Sequence, residues 1–264
     1  MRKSILITGC SSGIGRDAAL GLQRRGWRVF ASCRKEADFQ ELRDQGFESP
    51  RIDYADPDSI RSGLAQVLEA TGGRLDALFN NGAYAVPGAV EDLPREALAE
   101  LFQTNVFGVH DLTRQVIPVM RAQGHGRIVN CSSILGFIVA PWRGAYNASK
   151  HALHGLFETL RMEVREQGVN VMLVSPGFTA TDIRKNALVG DGSVAQATTA
   201  MPFKVSAPAE VAEAIYRGAC RRKRQLILSN VDWQARLIAR FFPRLFERWM
   251  VPRLSGVKVR SQGE

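Results

Sequence analysis

The chain has 264 residues, 45% of them hydrophobic, and a formal net charge of +9. That is enough apolar material for one sizeable core without disulfides, so a single α/β domain is the first expectation. No run of about 18 apolar residues appears, and Ile5-Leu6-Ile7 is too short for a secretory leader; Cys10, Cys33, Cys131 and Cys220 show neither paired spacing nor a CxxC, which argues against a disulfide framework or a metal site and for a cytoplasmic protein with reduced thiols.

In chain order, β-branched runs predict strands at residues 4–9, 28–33, 50–54, 75–80, 127–133, 169–175 and 225–229. Between them, apolar positions recurring at three and four predict helices over 13–26, 58–71, 95–124, 145–168 and 208–222, with Gly26, Gly124 and Gly168 as closing residues. Alternating strand and helix predicts an α/β fold: a doubly wound, Rossmann-type parallel sheet of about seven strands with helices on both faces. Residues 185–203 are small, polar and Gly-containing, and read as a lid loop.

Gly9, Gly13 and Gly15 fall between the first strand and the first helix. A Gly-rich turn there lets backbone N–H groups approach a pyrophosphate, and the helix N-terminus adds partial positive charge. The spacing is G-x-x-x-G-x-G, without the Lys-Ser/Thr of a P-loop, so a ligand-free tight turn stands as the alternative. The second strand ends Cys33-Arg34-Lys35, where an acid would select NAD. A guanidinium pairs well with a 2′-phosphate, and Ser11 and Ser12 add hydroxyl donors, so NADP(H) is favoured over a merely solvated turn.

Tyr146 and Lys150 lie four apart on a predicted helix, one turn from each other. An ammonium beside a phenol stabilises the phenolate and makes proton exchange with a carbonyl or alcohol feasible. Ser133 ends the preceding strand, at the edge where open α/β sheets bind ligands. Alone, such a Tyr–Lys pair is usually a solvated surface pair.

With TGCSSGIG, NNGA, TNVFG, CSS, YNASK and SPGFTAT in this order, the chain resembles the classical short-chain dehydrogenase/reductases from about Ser4 to Ser229. The resemblance implies a catalytic tetrad of Asn105, Ser133, Tyr146 and Lys150: Tyr146 as acid and base, Ser133 orienting the carbonyl, Lys150 on the nicotinamide ribose, Asn105 holding a relay water. It implies cofactor contacts from Gly9, Ser11, Ser12, Gly13, Ile14, Gly15, Arg34, Asp53 (adenine), Asn81, Gly82, Pro176, Gly177, Thr179 and Thr181, the last on the carboxamide. Within the family, TGCSSGIG with ASCR resembles an NADPH-preferring branch that includes hydroxysteroid and retinol dehydrogenases and bacterial aldehyde reductases. The implied activity is hydride transfer between nicotinamide and a lipophilic aldehyde, retinoid or ketosteroid-like carbonyl or alcohol, by a dimer or tetramer. A cofactor-binding regulatory or membrane-peripheral protein with little turnover is the alternative, and four intact tetrad positions argue against it. NNGA departs from the family's usual NNAG, a swap of small residues that shifts the backbone slightly.

Residues 217–260 carry twelve Lys or Arg against Asp232 and Glu247, a net +10 that leaves the rest of the chain near neutral. Arg236, Arg240, Arg244 and Arg248 interleave with apolar pairs, predicting an amphipathic helix kinked or restarted at Pro243. Residues 1–230 thus form a dinucleotide-binding catalytic domain and 231–264 an extension of the same domain. The extension either packs on the domain and roofs the substrate pocket, which is preferred, or lies on an anionic membrane surface. Nucleic acid is not expected, because phosphate binding has no use for the Phe and Leu pairs. Phe137, Pro141, Trp142 and Phe178 suggest an apolar pocket or ordinary core packing.

Overall fold

The computed structural model describes residues 2–181, 183, 205–229 and 233–254; the lid expected at 185–203 lies outside the described residues. Six parallel strands, β1 (Ser4–Ile7), β2 (Arg28–Ala31), β3 (Ala77–Asn80), β4 (Gly126–Cys131), β5 (Val169–Pro176) and β6 (Gln225–Leu228), form one sheet in the order β2-β1-β3-β4-β5-β6. β1 and β3 are buried along their whole length, as a sheet sandwiched by helices requires, and the edge strand β6 is half-buried. Ile5 and Ile7 of β1 face one helical layer while Leu6 faces the other. The first layer contains α1 (Gly13–Arg24), α2 (Glu36–Asp44) and α7 (Pro208–Cys220); the second contains α3 (Pro57–Thr71), α5 (Val109–Gln123) and α6 (Gly144–Glu163).

Among the described residues the sheet has six strands, against the seven expected. Residues 48–51 add no strand to the sheet: they form isolated bridges, Phe30 to Glu48 and Cys33 to Arg51, and the Glu48 carboxylate pairs with Arg28 of β2. Pro50 has no N–H to donate to the ladder, and the Ala31 carbonyl accepts instead from the Ser49 hydroxyl at 2.6 Å.

Local chemistry sets the helix ends. Asp56 caps α3, its carboxylate accepting from the Asp58 and Ser59 N–H groups, with Pro57 at the first helical position. Gly124, at φ 71°, closes α5 in the left-handed conformation. Gly168 does not close α6, which ends five residues earlier at Glu163. The long helix expected over 95–124 is broken into α4 (Arg95–Phe102), a π-helical stretch (Gln103–Gly108) and α5. The C-terminal helices are α8 (Trp233–Phe241) and α9 (Pro243–Leu254), the restart falling at Pro243. Phe246 and Met250 of α9 are buried against Ile134 and Ile138, which begin and follow a 3₁₀ turn (Ile134–Gly136).

The strand order reverses between β2 and β3, on either side of β1. Open α/β sheets bind ligands at such a switch point, outside the carboxyl ends of the strands. The loops leaving β1, β3, β4 and β5 all emerge on that edge.

Candidate active site

The loop from Gly9 to Ser12 joins β1 to α1. Gly9 sits at φ 66°, and a side chain there would meet the Gly82 backbone. A Cβ on Gly15 would lie 2.4 Å from the Gly9 carbonyl oxygen and 2.5 Å from Asn81 Nδ2. Glycine is thus required by contact as well as by dihedral. Ser12, the N-cap, makes no side-chain capping bond, and the first turn of α1 contains no acid. The first N–H groups of α1 therefore lack the usual side-chain cap and point their partial positive charge into the crevice.

Asn81 does not point its carboxamide at the crevice. Its Nδ2 donates to the Thr8 and Gly9 carbonyls, both at 3.1 Å, and its N–H donates to Thr8 Oγ1 at 2.9 Å. The β3 loop is thereby clamped to the Gly-rich loop. Beneath the clamp lies a buried polar chain that sequence reasoning missed. Thr8 Oγ1 lies 2.7 Å from the Tyr54 hydroxyl, which donates to Asn80 Oδ1, while Asn80 Nδ2 donates to Thr113 and Asn130. Nothing in the spacing of Tyr54 marks it; its neighbour Asp53 is held nearby, with Oδ1 accepting from the Ala55 N–H.

At the end of β2, Arg34 is exposed and Cys33 is buried. Burial pushes the Cys33 thiol up to about 11, with Asp38 and Glu36 adding to the shift and a Ser49 hydrogen bond opposing it. Arg51, another residue missed in the sequence, lies across the bridge from Cys33, and its Nε donates to the Arg34 carbonyl at 3.3 Å. Two guanidinium-bearing residues therefore share this edge. Arg51 lies within the strand expected over residues 50–54, but nothing in the sequence set it beside Cys33.

The loop after β5 folds back across α1. Gly177 N–H donates to the Leu228 carbonyl at 2.6 Å, Ala180 N–H to the Ser206 carbonyl, and the methyl of Thr181 lies over Gly13. Thr181 is thus brought beside the Gly-rich loop, while Gly177 is held at the end of β6 and Thr179 beside Ser206.

Ser133, Tyr146, Lys150 and Asn105 converge at the carboxyl end of β4. Ser133 precedes the 3₁₀ turn, its Oγ accepts from the Leu135 N–H, and its hydroxyl lies near enough to the Tyr146 phenol to favour the phenolate. Tyr146 is half-buried in the first turn of α6; Lys150 lies one turn on, 2% exposed, its Nζ 5.4 Å from the Tyr146 ring centroid. Asn105, in the π-helical stretch, is fully buried. Its carboxamide accepts from the Tyr84 N–H and donates to the Tyr84 carbonyl and to Ser149 Oγ, which donates in turn to the Tyr146 carbonyl. The π turn therefore fixes the loop after β3 to the helix bearing Tyr146. Such turns recur at functional sites because they interrupt the regular ladder.

The electrostatics differ from the sequence expectation. Burial pushes the Tyr146 phenol above its ordinary range and the Cys131 thiol adds to this, while the nearby Ser133 hydroxyl and Arg143 pull the other way. Burial also lowers Lys150, opposed by Cys131. Lys150 was expected to bring the phenol toward neutrality. In this chain alone its ammonium instead donates to the Cys131 carbonyl at 3.0 Å.

Of the suggested pocket residues, Phe137 is half-buried and packs edge-to-face on His154, with ring centroids 4.2 Å apart. Trp142 is 40% exposed at φ 61°, a strained conformation for a large side chain, three residues before Ala145 and four before Tyr146. A separate cavity of about 180 Å³ lies between α1, α7 and the opposite ends of β1, β3 and β4, and contains none of these residues.

The sequence model of the short chain dehydrogenase family matches residues 3–190. The chain belongs to that family. This short-chain dehydrogenase is 42% identical over 186 residues to the uncharacterized oxidoreductase YbbO of Escherichia coli K12, covering 70% of this chain and 69% of that one. It is 32% identical over 265 residues to dehydrogenase/reductase SDR family member 7B of Bos taurus, covering 94% and 80%. Among solved structures, a short-chain dehydrogenase from Streptomyces avermitilis matches with a TM-score of 0.79 at 29% identity over 97% of both chains. A short chain dehydrogenase/reductase from Burkholderia phymatum, solved with NAD, shares the fold with a TM-score of 0.75 at 24% identity, covering 100% of this chain and 98% of that one. The protein is thus an oxidoreductase of a family that uses nicotinamide cofactors. The uncapped α1 terminus and the glycine contacts fit such a dinucleotide.

Proposed function

We propose that this short-chain dehydrogenase transfers a hydride between NADP(H) and the carbonyl or alcohol of a lipophilic aldehyde, retinoid or ketosteroid-like substrate, with Tyr146 as general acid and base. The observation that carries the reading is the convergence of Ser133, Tyr146 and Lys150, with Lys150 Nζ 5.4 Å from the Tyr146 ring centroid, at the sheet edge that also bears the Gly-rich loop. When bound, the nicotinamide supplies or accepts the hydride. The backbone of Gly9, Ser11, Ser12, Gly13, Ile14 and Gly15 would hold the pyrophosphate, and Asp53 the adenine. Asn81 and Gly82 would shape the floor, and Pro176, Gly177, Thr179 and Thr181 the nicotinamide end. Ser133 positions the substrate oxygen, Tyr146 exchanges the proton, and Lys150 holds the ribose and carries positive charge beside the phenol. With the Asn105 carboxamide engaged by Tyr84, a relay water falls to the backbone of the π-helical stretch.

NADP(H) is favoured because Arg34, joined by Arg51, stands where an acid would repel a 2′-phosphate. The bound NAD of the Burkholderia relative belongs to that protein. Arg34→Ser is expected to raise the KM for NADPH roughly tenfold or more, the loss of one charge-assisted phosphate contact, and to leave NADH kinetics unchanged. The decisive assay compares NADPH and NADH oxidation with medium-chain aldehydes, retinaldehyde and ketosteroids. Binding of NADPH with no turnover across the panel would instead favour a cofactor-binding regulator. A cytoplasmic dimer or tetramer formed through α5 and α6 completes the proposal.

The pH dependence follows from the two shifts. Tyr146 is raised, so the acid needed for carbonyl reduction keeps its proton across neutrality and is lost only in alkali; Lys150 is lowered, so its charge is lost earlier than an ordinary lysine's. Reduction is expected to stay flat and then fall on the alkaline side, while alcohol oxidation rises with pH. Profiles of kcat/KM from about pH 6 to about pH 10 in both directions check this.

A further inference from the structure

Among the described residues, twelve large hydrophobic side chains are exposed, and six of them fall between residues 237 and 251: Leu237, Phe241, Phe242, Leu245, Trp249 and Val251. Phe241 and Phe242 are 68% and 63% exposed. The opposite side of the same helices is anchored, Phe246 and Met250 being buried on the turn that follows Ser133 and Ile238 packing beside them. The helices are thus already satisfied toward the domain, Trp249 lying tilted against the buried Phe246, and their other exposed apolar residues are surplus to that packing.

The exposed side is ordered by chemistry. On α8, Leu237 and Phe241 lie one turn apart, with Arg240 beside them; on α9, Leu245 and Trp249 do the same, with Arg244 and Arg248. Glu247 is the one acid on this stretch, and among the described residues none of the three arginines is in an ion pair. No described helix is long and apolar enough to cross a membrane. An apolar flank beside a cationic ridge is what a helix lying in a headgroup layer needs.

We propose that α8 and α9 seat this protein on an anionic lipid bilayer, Phe241, Phe242, Leu245 and Trp249 entering the interface and Arg240, Arg244 and Arg248 meeting headgroup phosphates. A second copy is the poorer occupant, because a two-fold contact through this face would bring the same unpaired arginines against each other. Since α9 rests on the residues directly after Ser133, docking holds the rim of the site at the lipid surface. The delivery of a lipophilic carbonyl from the bilayer rests on the function proposed above; the docking itself does not.

The test is co-sedimentation of the full chain with vesicles of phosphatidylcholine alone and of phosphatidylcholine with phosphatidylglycerol, without substrate. Enrichment on the anionic vesicles, weakened by salt, is expected. It should drop at least tenfold in a Phe241→Ser/Phe242→Ser double variant and in an Arg240→Gln/Arg244→Gln/Arg248→Gln triple variant. These side chains are exposed, so thermal melting and turnover of a water-soluble aldehyde should be unchanged. Equal pelleting with both vesicle types, or binding indifferent to both variants, overturns the proposal. So does light scattering that shows a dimer broken by the Phe double variant, which would assign the face to a second copy. Vesicle binding without turnover of any carbonyl would leave docking standing and sink only the proposed function.

Discussion

Tyr146→Phe is expected to lower kcat by roughly 10²–10⁴-fold, the usual contribution of a positioned acid–base group. The change removes one oxygen from a half-buried ring beside Ser133. The ring itself stays beside Lys150, so the fold and the cofactor crevice are left intact. NADPH affinity, measured by fluorescence titration, should therefore change less than about threefold, and KM for the carbonyl should move far less than kcat. Equal loss of cofactor binding and turnover would show that Tyr146 acts through structure. Unchanged turnover would remove it from the chemistry altogether.

Gly15→Ala should do the reverse. Its Cβ would stand 2.4 Å from the Gly9 carbonyl and 2.5 Å from the Asn81 amide, both part of the clamp between the β1 and β3 loops. Backbone has no rotamer by which to yield, so the Gly-rich loop must move. NADPH affinity is expected to fall at least tenfold, with a lower melting temperature, while any enzyme saturated with cofactor keeps much of its kcat. Isothermal titration beside a thermal melt separates the two effects. Unaltered affinity would mean that the loop is not the pyrophosphate cradle.

Much of this architecture is legible in the chain because it is local. Three glycines between a strand and a helix, and a Tyr and Lys one turn apart, are statements about neighbours in sequence, and the structure places them as neighbours in space. What escaped depends on distant segments. Tyr54 matters through Thr8 and Asn80, 46 and 26 residues away, and Arg51 through a bridge to Cys33. Proton affinities escaped for the same reason, since the shifts at Tyr146 and Lys150 come from burial and from Cys131 on another element. The missing strand was readable in part: Pro50 announces a gap in a ladder, but the Ser49 hydroxyl that fills it does not.

The π-helical stretch also fixes the length of the chain. A regular α-helix turns about 100° per residue. Deleting any one residue between 103 and 108 would let the ladder run straight from α4 into α5, at the expense of that rotation. Either Leu112, Val116 and Met120, all fully buried against the sheet, would swing out of the core, or Asn105 would leave Tyr84. The helix thus tolerates many changes of side chain on its outer face and no change in its residue count here.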